Sequence, residues 1–105
     1  MLDVLTLIPA SAEATDVETL LAFLVPSISQ APGLRSLRIS DGDVMHRGGP
    51  SPYSHVFEFT FDSLAEWMTW VLAPERQQRA AGNPFDRVNP TILYFETADP
   101  RAANA

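Results

Sequence analysis

The sequence predicts a single α+β domain with elements in the order strand, helix, strand, strand, helix, strand. Three observations support this. Four short apolar segments are bounded by turn residues, two segments carry apolar residues at helical spacing, and both halves share the same strand and helix order. A length of 105 residues fits one domain with a thin hydrophobic core.

The first half begins with the apolar run Leu2–Ile8, which predicts a strand ending before Pro9. The segment Thr15-Asp16-Val17-Glu18 fits a capping box at the start of a helix. Pro26 is expected to kink this helix or end its regular part. Leu34–Ser40 predicts the second strand. Apolar residues recur at helical spacing in the first helix: Val17, Leu20, Leu21, Leu24 and Ile28.

The second half follows a loop rich in Gly and Pro over 46–54. Ser54–Phe61 predicts the third strand, and Ser63-x-x-Glu66 fits a second capping box. Pro74 should break the second helix, and Thr91–Thr97 predicts the fourth strand. The expected buried stripe of the second helix is Leu64, Trp67, Met68, Val71 and Leu72.

The order βαββαβ is that of a ferredoxin-like fold, a four-stranded antiparallel sheet with two helices on one face. We expect a single domain over residues 1–99 and a frayed C-terminal tail over residues 100–105.

The strands indicate that both faces of the sheet are buried. Strand periodicity places Tyr53, His55, Phe57, Phe59 and Phe61 on one side, and Ser54, Val56, Glu58 and Thr60 on the other. The Phe side must meet the helices, because burying each Phe is worth ~2 kcal/mol. The first and fourth strands, however, show no polar side, and the helices cover one face only. A second copy of the chain would cover the other face, so we expect a homodimer.

Glu58 then falls on the expected dimer face, beside Val56 and Thr60. A charged, unpaired carboxylate there would be costly. We therefore expect Glu58 to pair with an Arg on the neighbouring strand, for which Arg38 is a candidate, or with a donor from the partner chain. A catalytic role is the alternative.

Composition excludes several function classes. The net charge is −6 and the seven basic residues, all Arg, are scattered, which argues against nucleic-acid binding. The absence of Cys excludes disulfides and zinc–thiolate sites. Asp3 stands where a secretion signal carries positive charge, and the first apolar run is too short to span a bilayer, so we expect a cytoplasmic protein without membrane contact. We expect no cofactor and no metal.

The run YSHVFEFTFDS (Tyr53–Ser63) resembles the third strand and helix start of dimeric α+β barrel proteins. It is most similar to the stress-responsive barrel group, which includes plant polyketide cyclases. Those proteins carry a Tyr-Thr-His strand followed by an acidic residue, Thr, Phe, an acidic residue and Ser at the same offsets. Pro32-Gly33-Leu34 and Ala73-Pro74-Glu75 resemble the related EthD-like proteins.

This resemblance implies that two sheets close into a barrel across a dimer, with a ligand pocket in each subunit between sheet and helices. His55 and Tyr53 would be the catalytic candidates. The candidate pocket residues are Phe57, Phe59, Trp67, Trp70 and Arg76.

The sequence also departs from these families. Trp70 and Arg76 stand where cyclase members carry a Tyr and a His as an acid–base pair, and neither side chain can do that work at neutral pH. Leu24 stands where EthD-like proteins often have a His. Haem-degrading relatives need an Asn on the first strand and a His on the second helix, and both are missing, so Trp67 alone is weak evidence for haem.

Each candidate side chain has a structural alternative. An imidazole can serve as a general acid or base, but His55 could equally be satisfied by a backbone group or a Tyr hydroxyl. His46 in the loop is expected to be solvated. Trp67 and Trp70 fit core or interface positions as well as a pocket. Arg76 could neutralise an anionic ligand or lie on the surface.

Two functions remain open. One is a small enzyme acting on an apolar or aromatic, polyketide- or phenol-like molecule, with His55 moving a proton and Tyr53 or a water assisting. The other is a non-catalytic, ligand-binding or stress-related dimerisation protein that lacks the acid–base pair.

Overall fold

A computed structural model describes residues 1–72 and 87–98. The predicted element order is confirmed, and each strand begins and ends within one residue of its predicted bounds. Arg76 and the tail over 100–105 lie outside the described residues. The elements are β1 (Leu2–Pro9), α1 (Ala14–Ser29), β2 (Leu34–Ile39), β3 (Tyr53–Phe61), α2 (Leu64–Val71) and β4 (Thr91–Glu96).

The four strands form one antiparallel sheet in the order β2-β3-β1-β4. This arrangement confirms the predicted ferredoxin-like fold of the α+β class. β1 lies in the middle and pairs with β3 on one side and β4 on the other. Its residues alternate strictly between buried and half-buried positions, which follows from the two-residue side-chain period of a strand.

The hydrophobic core lies between one face of this sheet and the helices. The register pairs Leu2 with Phe61, Val4 with Phe59 and Thr6 with Phe57, so the Phe side chains of β3 share a face with the buried residues of β1. α1 contributes its predicted apolar stripe to this core, and α2 contributes Trp67. The buried residues of α1 are Val17, Leu20, Leu24 and Ile28.

The two helix starts differ from each other. Ser63 caps α2 by accepting a hydrogen bond from the Glu66 backbone N–H at 3.3 Å, as predicted. The predicted capping box at Thr15 is wrong. α1 begins at Ala14, and the Val17 N–H donates to the Glu13 carbonyl at 3.0 Å, so Thr15 lies within the first turn rather than before it.

Two further expectations for the helices need correction. One of the two outcomes expected at Pro26 is wrong: α1 does not end there but continues to Ser29, and a kink at Pro26 stays a prediction. The apolar stripe of α2 is narrower than predicted, since Leu64 is 43% and Leu72 59% exposed. These two residues stand at the first position of the helix and just past its last, while Trp67, with Met68 and Val71, packs against the core. Within the described residues, no helix combines the length and the apolar character needed to cross a membrane.

Gly33, just before β2, brings the chain close to α2. Its φ of +82° lies in the left-handed region, and its carbonyl accepts a hydrogen bond from the Asp62 N–H at 2.9 Å. A Cβ at this position would lie 2.8 Å from both Cβ and Cγ of Glu66. The position therefore requires glycine for two reasons, the backbone conformation and the lack of space.

We expect Gly33→Ala to lower the free energy of unfolding by about 2–3 kcal/mol, because backbone strain of about 1–2 kcal/mol adds to the clash with Glu66. Gly42→Ala is the matched control: its φ is +79°, but no atom of the described residues, apart from its two chain neighbours, lies within 4 Å of the added Cβ. Urea denaturation of both variants measures the difference. Equal losses would contradict a close approach at Gly33.

Candidate functional site

The pairing of β1 with β3 is interrupted where β3 begins. Ile8 pairs with His55, but the next residue, Pro9, pairs with Tyr53, so Ser54 is skipped. This is a β-bulge, and it adjoins a proline, which has no backbone N–H to give to a neighbouring strand. Bulges change the direction of side chains locally, and here the change affects the residue singled out as the catalytic candidate.

His55 lies at the end of the helix-facing row of β3. Its cross-strand partner Ile8 is fully buried, and the row continues through Phe57, Phe59 and Phe61. His55 itself is half-buried. The face predicted for His55 is therefore the face on which it lies, and it adds a polar group to an otherwise apolar row.

The Ser54 hydroxyl lies 2.8 Å from Nδ1 of His55. Strict alternation along a strand would direct these neighbouring side chains to opposite faces, which is the arrangement predicted from the sequence. The bulge accounts for their contact. Among residues 1–72 and 87–98, the hydrogen-bond partner of His55 is thus a serine hydroxyl, rather than the backbone group or Tyr hydroxyl considered from the sequence.

The segment leading into this end of β3 is fastened by two sets of hydrogen bonds. The Tyr53 N–H donates to the Ser51 hydroxyl at 3.1 Å, and that hydroxyl donates to the Tyr53 carbonyl at 2.9 Å. The Ala10 N–H donates to the Pro52 carbonyl at 2.9 Å. Tyr53, the second catalytic candidate, is half-buried two residues from His55.

The aromatic candidates for the pocket lie mainly in the core. Phe57 is 0%, Phe59 3% and Trp67 7% exposed. Trp70 is half-buried and packs against the same core. The Trp67 ring also contacts the Tyr94 ring of β4, with the centroids 4.5 Å apart and the planes at 45°. No motif in the sequence singles out Tyr94 as a site residue.

The opposite face of the sheet, which we call the open face, carries the residues predicted to meet a second subunit. Val56, Glu58 and Thr60 of β3 pair with β1 residues that point away from the helices. Arg38 forms an ion pair with Glu58 through Nη2 and Oε1, which confirms the partner predicted for this carboxylate.

A chain of hydroxyl groups crosses three strands on the open face. The Ser36 hydroxyl of β2 donates to Thr60 Oγ1 at 2.9 Å, and Thr60 Oγ1 donates to the Asp3 Oδ1 atom of β1 at 3.2 Å. These hydrogen bonds link β2, β3 and β1 at one end of the open face and satisfy part of the polar groups there.

Apolar side chains on the same face are accessible. Leu93 is 47% and Phe95 46% exposed, and they pair with Leu5 and Asp3 of β1. A depression of about 310 Å³ lies on the open face beside β2, lined by Leu5, Arg38, Ile39, Ser40, Val56 and Glu58. This depression is on the side of the sheet opposite to that predicted for the pocket. Among residues 1–72 and 87–98, no cluster of three His or acidic side chains could hold a metal ion.

Neither a protein-family model nor a curated protein matches the sequence. Three solved structures share the fold across nearly the whole chain. A protein of the ethyl tert-butyl ether D (EthD) family from Bacillus halodurans C-125 has a TM-score of 0.70 and 15% identity, covering 93% of this chain and 99% of that one. A dimeric ferredoxin-like protein of unknown function from Jannaschia sp. CCS1 has a TM-score of 0.69 and 19% identity, covering 91% and 98%.

The third structure is a candidate antibiotic biosynthesis monooxygenase from Deinococcus radiodurans, with a TM-score of 0.66 and 19% identity, covering 94% of each chain. At these identities the similarity is one of fold. At that level the resemblance to dimeric α+β barrel proteins is confirmed.

We expect Thr60→Val to lower the free energy of unfolding by about 1 kcal/mol, because the half-buried Ser36 and Asp3 groups lose a shared partner. Thr69→Val is the control, since that hydroxyl donates to the Ala65 carbonyl of its own helix at 2.8 Å. Urea denaturation compares the two variants. An unchanged stability in Thr60→Val would show that the hydroxyl chain contributes nothing.

Proposed function

We propose that the protein is a homodimer in which each subunit binds a small apolar or aromatic molecule beside His55, between the sheet and the helices. The His55 imidazole would assist acid–base chemistry of the cyclase, isomerase or monooxygenase type, with Tyr53 or a water in support. The observation that carries this proposal is the half-buried imidazole at the end of an apolar row. A mostly apolar site with few polar groups suits such ligands.

The buried aromatic side chains would line the sides and the base of this site. Phe57 is the next residue along the helix-facing row from His55, and it is fully buried. A ligand beside the imidazole would therefore lie at the end of the packed core rather than in its middle. The role proposed for Arg76, neutralising an anionic ligand group, belongs to the same hypothesis.

The dimer is supported by the exposed apolar surface of the open face. Leu93 and Phe95 are each nearly half exposed in one subunit, and each Å² of apolar surface buried contributes about 25 cal/mol. Because Arg38 forms an ion pair with Glu58, the carboxylate would keep a positively charged partner when a second subunit covers the open face. The similar Jannaschia protein is described as dimeric, which agrees with this arrangement.

A non-catalytic member of the same fold is the second candidate. Its supporting observation is the burial of Phe57, Phe59 and Trp67, which all belong to the hydrophobic core. Trp70, at the position where cyclases carry one member of their acid–base pair, favours the same alternative. Such a protein would bind a metabolite without transforming it, or only dimerise.

For the dimer, we expect Leu93→Glu to shift the protein to a monomer, because a carboxylate would be buried against the partner sheet. Leu64→Glu is the matched control: Leu64 is similarly exposed, at 43%, but lies on α2. Sedimentation equilibrium at micromolar concentration measures the mass of each variant. A monomeric wild-type protein would contradict the dimer, as would a dimeric Leu93→Glu variant.

For the ligand site, we expect wild-type protein to bind 2-acetylnaphthalene, an aromatic ketone, and His55→Asn to bind it about three- to tenfold more weakly, the range for loss of one hydrogen bond. His46→Asn, in the loop before β3, should leave the affinity unchanged. NMR titration measures both affinities. Equal affinities in the wild type and His55→Asn would remove His55 from the site, and no binding by the wild type would favour the alternative in which the protein only dimerises.

A further inference from the structure

We infer that Ser54 is a positioning residue that holds the neutral His55 ring with its proton on Nε2, so that His55 offers a hydrogen-bond donor to its ligand. The ligand would then carry an acceptor oxygen, such as a ketone carbonyl, at that point. The ligand part of this inference builds on the proposed function, whereas the role of Ser54 in fixing the ring is independent of it.

The bulge produces the contact on which this inference depends. Ser54 is the residue skipped between the pairs Ile8–His55 and Pro9–Tyr53. Because Ser54 is skipped, its side chain does not follow the regular alternation of the strand. Its hydroxyl lies 2.8 Å from Nδ1 of His55. A bulge at this point therefore changes the environment of one ring nitrogen, Nδ1, while Nε2 forms no hydrogen bond within residues 1–72 and 87–98.

The direction of the hydrogen bond follows from the donor inventory. A serine hydroxyl has one donor hydrogen and two acceptor lone pairs, and a neutral imidazole has one N–H and one bare nitrogen. Within residues 1–72 and 87–98, His55 Nδ1 is the partner with which the Ser54 hydroxyl forms a side-chain hydrogen bond. Donation from Ser54 to Nδ1 satisfies both half-buried groups. The opposite direction would leave the hydroxyl hydrogen without a protein acceptor among these residues.

The fixed tautomer determines what His55 can do in its neutral form. When Nδ1 accepts from Ser54, Nε2 carries the hydrogen and can only donate. A neutral His55 would then act by polarising an oxygen of the ligand rather than by removing a proton from it. In many functional histidines, the hydrogen bond made by one ring nitrogen determines whether the other nitrogen carries the proton. Ser54 would have this effect on His55.

NMR decides the tautomer directly, and the sequence simplifies the measurement because it contains only two histidines. Long-range ¹H–¹⁵N correlation spectra distinguish Nδ1–H from Nε2–H imidazoles, and a His46→Gln variant assigns the signals. At a pH where both rings are neutral, we expect His55 to show the Nε2–H pattern. Ser54→Ala should shift it towards a mixture of tautomers, and Ser54→Thr, which keeps the hydroxyl, should restore it.

The inference is overturned if wild-type His55 carries its proton on Nδ1, or if Ser54→Ala leaves the tautomer pattern unchanged. Backbone amide spectra of Ser54→Ala verify that the variant is folded, and Ser54→Thr, which keeps the hydroxyl, is the matched control. A purely structural role for Ser54 would alter stability without altering the tautomer.

The ligand part is tested with two probes of matched shape, 2-acetylnaphthalene and 2-ethylnaphthalene, of which only the first has an acceptor oxygen. We expect the wild type to prefer the ketone by about three- to tenfold, and Ser54→Ala to lose most of that preference. An undiminished preference in Ser54→Ala would overturn the link between Ser54 and the ligand. If the wild type binds neither probe, the proposed function fails, and the tautomer measurement still decides the role of Ser54.

Discussion

The antiparallel pairing of β1 with β3 is the constraint on which the rest of the structure depends. It sets Leu2, Val4 and Thr6 opposite the Phe residues of β3, and both sets face the helices. Because the side-chain period of a strand is two, a slip of one residue would send the whole row to the other face. The same pairing therefore fixes which side chains form the core and which form the open face. A layer of helices on one side leaves the apolar residues of the open face uncovered.

The candidate site arises where this pairing stops being regular. The register holds as far as Ile8, and its break beside Pro9 combines a half-buried histidine with a serine hydroxyl that alternation would direct elsewhere. The hydrogen bonds that fasten the segment before β3 keep the irregular end close to the segment after β1. The candidate site and the core thus belong to the same strand pair. The site lies where the pairing of β1 with β3 breaks, and the core lies where that pairing is regular.

The sequence was sufficient to predict the structure wherever a local pattern determined it. Alternation predicted the strands and the face of His55, and the pairing of Arg38 with Glu58 followed from the cost of an unpaired charge. The Thr15 cap failed because the chain entered the helix earlier than a four-residue motif indicated. The contact between Ser54 and His55 could not be predicted, because the bulge depends on how two strands meet, and proline at position 9 was its only local sign. The location of the depression on the open face likewise depends on strand neighbours that no single segment reveals.

The central position of β1 has a consequence for how the chain folds. β1 is synthesised before β4, yet the two strands are bonded along their length, from Leu2 opposite Glu96 to Leu7 opposite Thr91. Closing so long a loop has a large entropic cost, and folds dominated by distant pairings form slowly. Until Thr91–Glu96 leaves the ribosome, one edge of β1 lacks its partner and could pair with a strand of another nascent chain. Completion of the sheet therefore waits for the last strand, and a chaperone that shields this edge during translation would raise the yield of folded protein.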